Sequence, residues 1–390
     1  MSELVKPHGG QLNLLRVEAE EAKSLLLKAK DAVKVKITSK EASDLIMMAM
    51  GAFSPLDGFM REKDYQGVVR DMHLADGTLW PIPITLAVAK DVADGLKPGQ
   101  KIALTDPGDD AILALMTLED KYAYDRKAEA LSVFGTDDQA HPGVKKLYDQ
   151  GDVYLGGPVK VLSEASYPET YPEYARCDET RAIFSEKGWK TVAAFQTRNP
   201  LHRSHEYLTK IALEVCDGLF IHPIVGKLKA GDIPAEVRMK CCRVLLEEYY
   251  PQERAVLKVY PMEMRYAGPK EAVLHAIIRQ NFGCTHMIIG RDHAGVGDYY
   301  GAFDAQDIFD TFSESELAIK PLKLDWTFWC YKCGTMASMK TCPHTKDDRC
   351  LISGTKLRDM LAEGTTPPAE FSRPEVIEIL TDYYQSERDN

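Results

Sequence analysis

From residue 191 to 324 the chain alternates short apolar runs with longer amphipathic ones, and this alternation limits the fold more than any other feature. TVAAF (191–195), LFIHPIV (219–225), AVLKVY (255–260), HMIIG (286–290) and LAIKPLKL (317–324) have the length and apolar content of buried strands. Between them lie stretches with helical spacing. In the first, Tyr207, Leu208, Ile211, Ala212, Val215 and Cys216 share one face; the others are 235–249, 270–281 and 303–312. Strands separated by helices of this length predict an α/β fold with a parallel sheet covered on both faces. Ligands of such sheets sit at the carboxyl ends of the strands.

The residues before this stretch have a different texture. WPIPITLAV (80–88), KIALTDP (101–107) and AILALMTLED (111–120) are short strand-like runs between Gly/Pro turns, so a mainly β domain with a few helices is expected. A helical pattern at Ser39–Ala52 leads into FSPLDGF (53–59), read as a packing corner at a domain interface. The polar, proline-containing stretch 166–181 reads as a connector. We therefore expect domains at 1–168, 169–324 and 325–390, the last holding a cysteine cluster and a short helical tail, IEILTDYY.

With 390 residues, 45% of them apolar, the chain can bury sizeable cores. Its net charge of −11 gives no global attraction for nucleic acid or anionic membranes, so any bound anion needs a local cationic cluster. No apolar run approaches the roughly 18 residues of a membrane span, and the first residues lack the apolar core of a secretory signal. The expectation is a cytoplasmic protein that binds neither nucleic acid nor membrane.

Two polar loops leave strand ends in the alternating region: Gln196-Thr197-Arg198-Asn199-Pro200-Leu201-His202-Arg203-Ser204-His205 and Gly290-Arg291-Asp292-His293-Ala294-Gly295-Val296-Gly297. In a parallel sheet both face the same edge. Asn199 suits an N-cap and Pro200 a first helical position, which would aim a helix N-terminus into the crevice as an anion site. His202 and His205 would then share the first turn and point at the same ligand. The spacing His-x-x-His-Glu is not the zinc-binding His-Glu-x-x-His, and GRDHAGVG is not the dinucleotide fingerprint.

Of nine cysteines, Cys177, Cys216, Cys241, Cys242 and Cys284 read as small buried hydrophobes. Cys330-Tyr331-Lys332-Cys333-Gly334 forms a knuckle that aims two thiolates at one point, with Cys342 and His344 following. Three thiolates and one imidazole would satisfy a tetrahedral, structural Zn²⁺. His344 is separated from Cys342 only by Pro343, so Cys350 is a rival for the fourth position.

QTRNPLHRSHE (196–206) and GRDHAGVG (290–297) resemble the motifs of the ATP sulfurylases, and KPHGGQL (6–12), GAFSPLDGFM (51–60) and ISGTKLR (352–358) extend the likeness over nearly the whole chain. The resemblance implies a PUA-like N-terminal domain, a Rossmann-like nucleotidyltransferase domain and a small C-terminal domain, without the kinase-like domain of fungal relatives. It implies the reaction of sulfate with ATP to give adenosine 5′-phosphosulfate and pyrophosphate, with Mg²⁺ on the nucleotide. Gln196, Arg198 and the backbone N–H of Ala294 would hold sulfate. Thr197 and Asn199 would act on the α- and β-phosphates, and His202 and His205 on the β-phosphate and departing pyrophosphate. Gly290, Arg291, Asp292 and His293 would contact the nucleotide, and a homodimer is implied. In ISGTKLR, Ser353 could cap a helix carrying Lys356 and Arg358. Two alternatives differ in class: nucleotidyl transfer to another acceptor, and an RNA-binding PUA and zinc module.

Overall fold

A computed structural model describes residues 4–227, 232–352 and 354–388. The alternating region forms five parallel strands, Val192–Thr197, Gly218–Pro223, Ala255–Leu257, His286–Ile289 and Lys320–Lys323. Their spatial order places Ala255–Leu257 at one edge, then Gly218–Pro223, Val192–Thr197, His286–Ile289 and Lys320–Lys323. The chain's direction of travel thus reverses between Val192–Thr197 and His286–Ile289, and both predicted loops leave from there.

The three inner strands are buried on both sides, whereas the edge strands Ala255–Leu257 and Lys320–Lys323 are only partly covered. Ala193, Phe195, Leu219, Ile221 and Ile288 face one core, shared with Ala212, Cys241, Leu245, Leu357 and Leu380 from surrounding helices. Val192, Ala194, Phe220, Met287 and Ile289 face the other, with Ala272, Ile277 and Phe184. Helices Arg203–Val215 and Ala235–Tyr249 therefore cover one face and Gly268–Asn281 the other. On Arg203–Val215 the buried line is Leu208, Thr209 and Ala212, continuing to Cys216, while Val215 is 63% exposed. The expected stripe was too wide at its end, because spacings of four and four from Leu208 reach Cys216 and leave Val215 beside the covered strip. The expected helix 303–312 is a short helix, Asp304–Asp307, followed by the 3₁₀ turn Ile308–Thr311. The five isolated cysteines are all buried and free.

The N-terminal part contains a seven-stranded sheet. Only Leu86–Val88 of the run 80–88 is strand, because its two prolines each lack a ladder N–H. The expected Ser39–Ala52 helix spans Ser39–Ala49 and opens on a capping box: Thr38 Oγ1 accepts from Glu41 N, and a Glu41 carboxylate oxygen accepts from Thr38 N at 2.8 Å. This helix is stapled to the parallel-sheet region through the core. Ser43 Oγ donates to Pro261 O at 3.0 Å and accepts from Glu263 N at 2.8 Å, and Asp44 pairs with Arg265 at 2.5 Å. Asn281 Nδ2 donates to the carbonyls of Ala52 and Ser54, which makes GAFSPLDGF the interface corner that its composition implies.

After the parallel sheet, Thr327–Cys330, Thr335–Ser338 and Arg349–Cys350 form a small antiparallel sheet. Helices Gly354–Ala362 and Pro374–Arg388 follow, the latter longer than the expected tail. Their apolar residues complete the core around Arg203–Val215. Among the described residues no helix is long and apolar enough to cross a membrane. The Ser353 cap and the side chain of Arg358 lie outside the described residues.

Candidate active site

The reversal of direction opens a crevice at the carboxyl ends of Val192–Thr197 and His286–Ile289, where parallel α/β sheets place ligands. A cleft of about 340 Å³ lies there. Gln196, Thr197, Arg198, Asn199 and His205 line it from the first loop, and Gly290, Arg291, Asp292, His293 and Ala294 from the second. The two motifs, which begin 94 residues apart in the sequence, thus meet in one cavity.

The local geometry differs from the expected cap. The helix begins at Arg203, with His202 as N-cap (φ −113°, ψ 174°). Asn199 is not the cap and Pro200 is not a first-turn residue. Thr197 Oγ1 accepts from Asn199 N at 3.0 Å and donates to Asn199 O at 2.8 Å, closing a turn that keeps the chain extended. Leu201, 1% exposed, is thereby inserted into the core before helix can start. The cap bond is made by an imidazole: His205 Nδ1 accepts from His202 N at 3.2 Å. A neutral His205 ring then carries its proton on Nε2.

The two imidazoles stack at 5.8 Å between centroids, but only His205 lines the cleft. His202 packs on Phe371 at 4.5 Å and lies 3.3 Å from Ser372 Oγ. The segment 369–373 straps this first turn. Phe371 O accepts from Arg203 N, and Arg373, stacked over Tyr249, forms a two-pronged pair with buried Glu206 at 2.7 and 2.9 Å. Such a paired, hydrogen-bonded carboxylate fixes orientation as much as it stabilises.

Burial and the neighbouring His205 push His202 down to about 3, and burial pushes His205 down to about 4. Both rings are therefore neutral donors at neutral pH. An unfolded chain takes up protons on these rings near the ordinary value of about 6.5, whereas the folded chain refuses them until about pH 4. Their contribution to stability is thus complete above about pH 6.5 and is lost as the pH falls toward 4. We expect Tm to drop between pH 6.5 and 4, and the drop to be shallower in His202→Asn. A wild-type Tm unchanged from pH 7 to 4.5 contradicts this.

Among the described residues Arg198 is one of two cations, with Arg291, on the cleft wall. Its guanidinium lies 5.4 Å from the Tyr266 ring centre, and its Nη1 is buried without a partner. Gln196 Oε1 is likewise unpartnered. Orphaned polar groups of this kind cost about 1–3 kcal/mol each, and each calls for a partner from a ligand or from a neighbouring side chain. In the second loop, Asp292 (φ 53°) and Ala294 (φ 56°) hold left-handed backbone on either side of His293, strain of a kind that concentrates at ligand sites. Gly295 lets the Asp292 carboxylate lie against the backbone of this loop, since a Cβ there would sit 1.9 Å from one of its oxygens and push it aside.

The sequence reading missed Met264, Asp325, Trp326 and Thr327 on the cleft wall. The last three follow directly on the strand Lys320–Lys323, so the parallel-sheet rule that located the two loops points to them as well.

The cysteine cluster assembles as expected. Among the described residues, Cys330, Cys333, Cys342 and His344 bring one donor atom each within 4.8 Å of one another; Cys350 is not part of the group. His344 Nδ1 lies 3.3, 3.2 and 3.7 Å from the sulfurs of Cys330, Cys333 and Cys342, and the Cys333 and Cys342 sulfurs are 3.8 Å apart. These separations are about the edges of a tetrahedron with metal–ligand bonds of roughly 2.0–2.3 Å. Pro343 does not prevent His344 from closing the set. Against the cost of desolvation, hydrogen bonds from Cys333 N and the neighbouring donors pull Cys330 down to about 7, whereas its bond with Cys330 pushes Cys333 up to about 11, so one thiolate forms readily and the next when a metal displaces its proton.

Comparison with known proteins agrees with the geometry. A PUA-like domain model matches residues 5–164 and an ATP-sulfurylase model residues 174–383. The chain is 56% identical over 384 residues to the sulfate adenylyltransferase of Desulforamulus reducens, covering 98% of this chain and 99% of that protein. It is 55% identical over 384 residues to that of Chlorobaculum tepidum, covering 98% and 95%. A solved structure, the hexameric APS kinase from Thiobacillus denitrificans, shares the fold at a TM-score of 0.76 and 23% identity, over 97% of this chain and 69% of that one. A cleft at the reversal point with these loops on its walls, matched by relatives identical at more than half of their positions, makes the chain a member of the ATP-sulfurylase family.

Proposed function

We propose that the chain is a sulfate adenylyltransferase that joins sulfate to the α-phosphorus of ATP, reversibly and by direct in-line displacement, with no covalent enzyme intermediate. The observation that carries this reading is Arg198 Nη1, buried without a partner in a cleft walled by both loops. Sulfate is already a dianion and needs no general base, so the task is to hold two repelling anions in register. Arg198 offers a planar fork for sulfate, with Gln196 and the Ala294 N–H beside it.

Thr197 shapes the turn that presents Asn199 to the phosphates, since its hydroxyl is engaged with the Asn199 backbone. His205 offers Nε2–H to the β-phosphate and the departing pyrophosphate, and His202 orients it through the cap bond. The nucleotide would run along Gly290, Arg291, Asp292 and His293. Asp292 and Asp325 are the carboxylates of the wall, too few for a Mg²⁺ cage, so that ion would come with the triphosphate. Cys330, Cys333, Cys342 and His344 would hold a structural zinc that ties the small sheet together. We place the domain limits at 168/169 and 324/325, and expect a homodimer acting in the cytoplasm.

Exchange of labelled pyrophosphate into ATP tests the reading. Exchange should depend on sulfate; exchange indifferent to it would assign the chain to another acceptor.

A further inference from the structure

Beneath the cleft lies a line of buried polar groups that the proposed reaction does not use. Glu271 and His275, both 0% exposed, sit one turn apart on the helix Gly268–Asn281. One Glu271 oxygen accepts from Arg265 N at 2.9 Å and the other from Ala267 N at 3.0 Å. The first of these oxygens is 3.5 Å from His275 Nε2. On its other side, His275 Nδ1 is 3.1 Å from His293 Nε2, in the second loop. Gln196, in the first loop, brings its amide nitrogen to 3.5 Å from His275 Nε2 and leaves its Oε1 without a partner. A single buried imidazole therefore touches both catalytic loops.

Its proton decides what each loop presents. A neutral imidazole carries one N–H and one lone pair. A lone pair on Nε2 would face the Glu271 carboxylate in a buried site, with only the neutral Gln196 amide, 3.5 Å away, to offset the repulsion; a proton on Nε2 is attracted to the carboxylate at the same distance. Burial by itself favours the neutral acid, yet the His275 ring and the Arg265 N–H hold Glu271 below the ordinary carboxylate range. With Nε2 protonated, an amide N–H of Gln196 pointing at it sets donor against donor. A half-turn of the amide, which changes no shape, brings Oε1 to His275 Nε2–H and supplies the missing partner. Both amide protons are then directed away from His275. At the other nitrogen, His275 Nδ1 accepts from His293 Nε2–H, which fixes that ring and leaves His293 Nδ1 as an acceptor. Burial holds His275 and His293 neutral, and Arg279, fully buried and stacked 3.8 Å over Tyr260 one further turn along the same helix, adds a charge that opposes their protonation.

We propose that His275, polarised by Glu271, is a positioning residue: it holds Gln196 with its amide protons free for the bound anion and locks His293 in one tautomer. The proposal rests on the sulfate reading only for the identity of that anion. A donor lost to a charged group weakens binding by roughly tenfold or more. His275→Leu should therefore raise the KM for sulfate by about tenfold or more and the KM for ATP by less than about threefold. His275→Gln, which places an N–H near the Nε2 position, should restore most of the sulfate affinity, and His275→Leu should have no further effect on sulfate KM in a Gln196→Ala background. Equal shifts for both substrates, no rescue by glutamine, or undiminished additivity with Gln196→Ala would overturn it.

Nitrogen-15 NMR of histidine-labelled wild type reads the tautomers without reference to activity. The neutral Nε2–H form is expected for His275 and His293, with the His275 signal displaced in Glu271→Gln. Nδ1–H on His275 defeats the proposal whatever the variants do. A wild type without sulfate-dependent exchange defeats the functional reading and leaves the tautomer result to decide this one.

Discussion

Arg198→Ala is expected to lower kcat/KM for sulfate adenylylation by about 10³-fold or more while leaving Tm essentially unchanged. Removing one preorganised donor from a transition-state site costs about 10²–10³-fold, and a guanidinium supplies two donors and a full charge. Stability responds differently, because the same group is a liability in the empty fold. Its Nη1 is buried without a partner, at a cost of about 1–3 kcal/mol, against about 0.5–1 kcal/mol from its contact with the Tyr266 face. Truncation therefore balances near zero or slightly stabilises. Arg198→Lys should recover little, since a point charge cannot reproduce a fork. Steady-state kinetics and thermal melts on the same preparations check both halves. Turnover at the wild-type level, or inactivity accompanied by a melt lowered by about 5 °C, would remove Arg198 from the centre of the site.

Cys333→Ser is expected to abolish tight zinc binding and to unfold the small antiparallel sheet locally. The apolar core of that sheet consists of Phe328, Cys330, Ala337 and Cys342, two of which are proposed ligands, so little is left when the metal goes. Clusters of this size do not stand without a metal or disulfide. Structural zinc contributes on the order of 10 kcal/mol where folding depends on it, and losing one thiolate forfeits much of that. Elemental analysis should fall from about one zinc per chain to a small fraction, and limited proteolysis should cut within 331–349. Thr327 Oγ1 donates to Ser204 O, and Trp326 and Thr327 line the cleft, so KM for ATP should rise more than kcat falls. Undiminished zinc in the variant would show that Cys333 is not a ligand.

The parallel sheet was legible because its three inner strands are buried on both faces and all five read as short, largely apolar runs between amphipathic stretches, and both loops were placed at the sheet edge from that inference alone. The start of the helix after the first loop was not legible. Asn-Pro is a strong opening signal, but it lost to two effects invisible in local sequence: the Thr197 hydroxyl already satisfies the Asn199 N–H, and the core demands Leu201 before the helix begins. The cap that replaced it is an imidazole, which no propensity scale favours. For the same reason His202 and His205, expected to point at one ligand, are separated: His205 lines the cleft and His202 packs on Phe371. The metal-type cluster was readable from spacing, but the choice between His344 and Cys350 was not, because strand pairing sets Cys350 opposite Trp329 and away from the group.

Of the four tryptophans only Trp326, 45% exposed, stands on the cleft wall; Trp80 and Trp189 are buried, and Trp329 is half-buried outside the cleft lining. The indole at the mouth is thus the emitter whose surroundings change most when a nucleotide displaces water. Intrinsic fluorescence then serves as a label-free gauge of occupancy, available in each inactive variant for which turnover can report nothing.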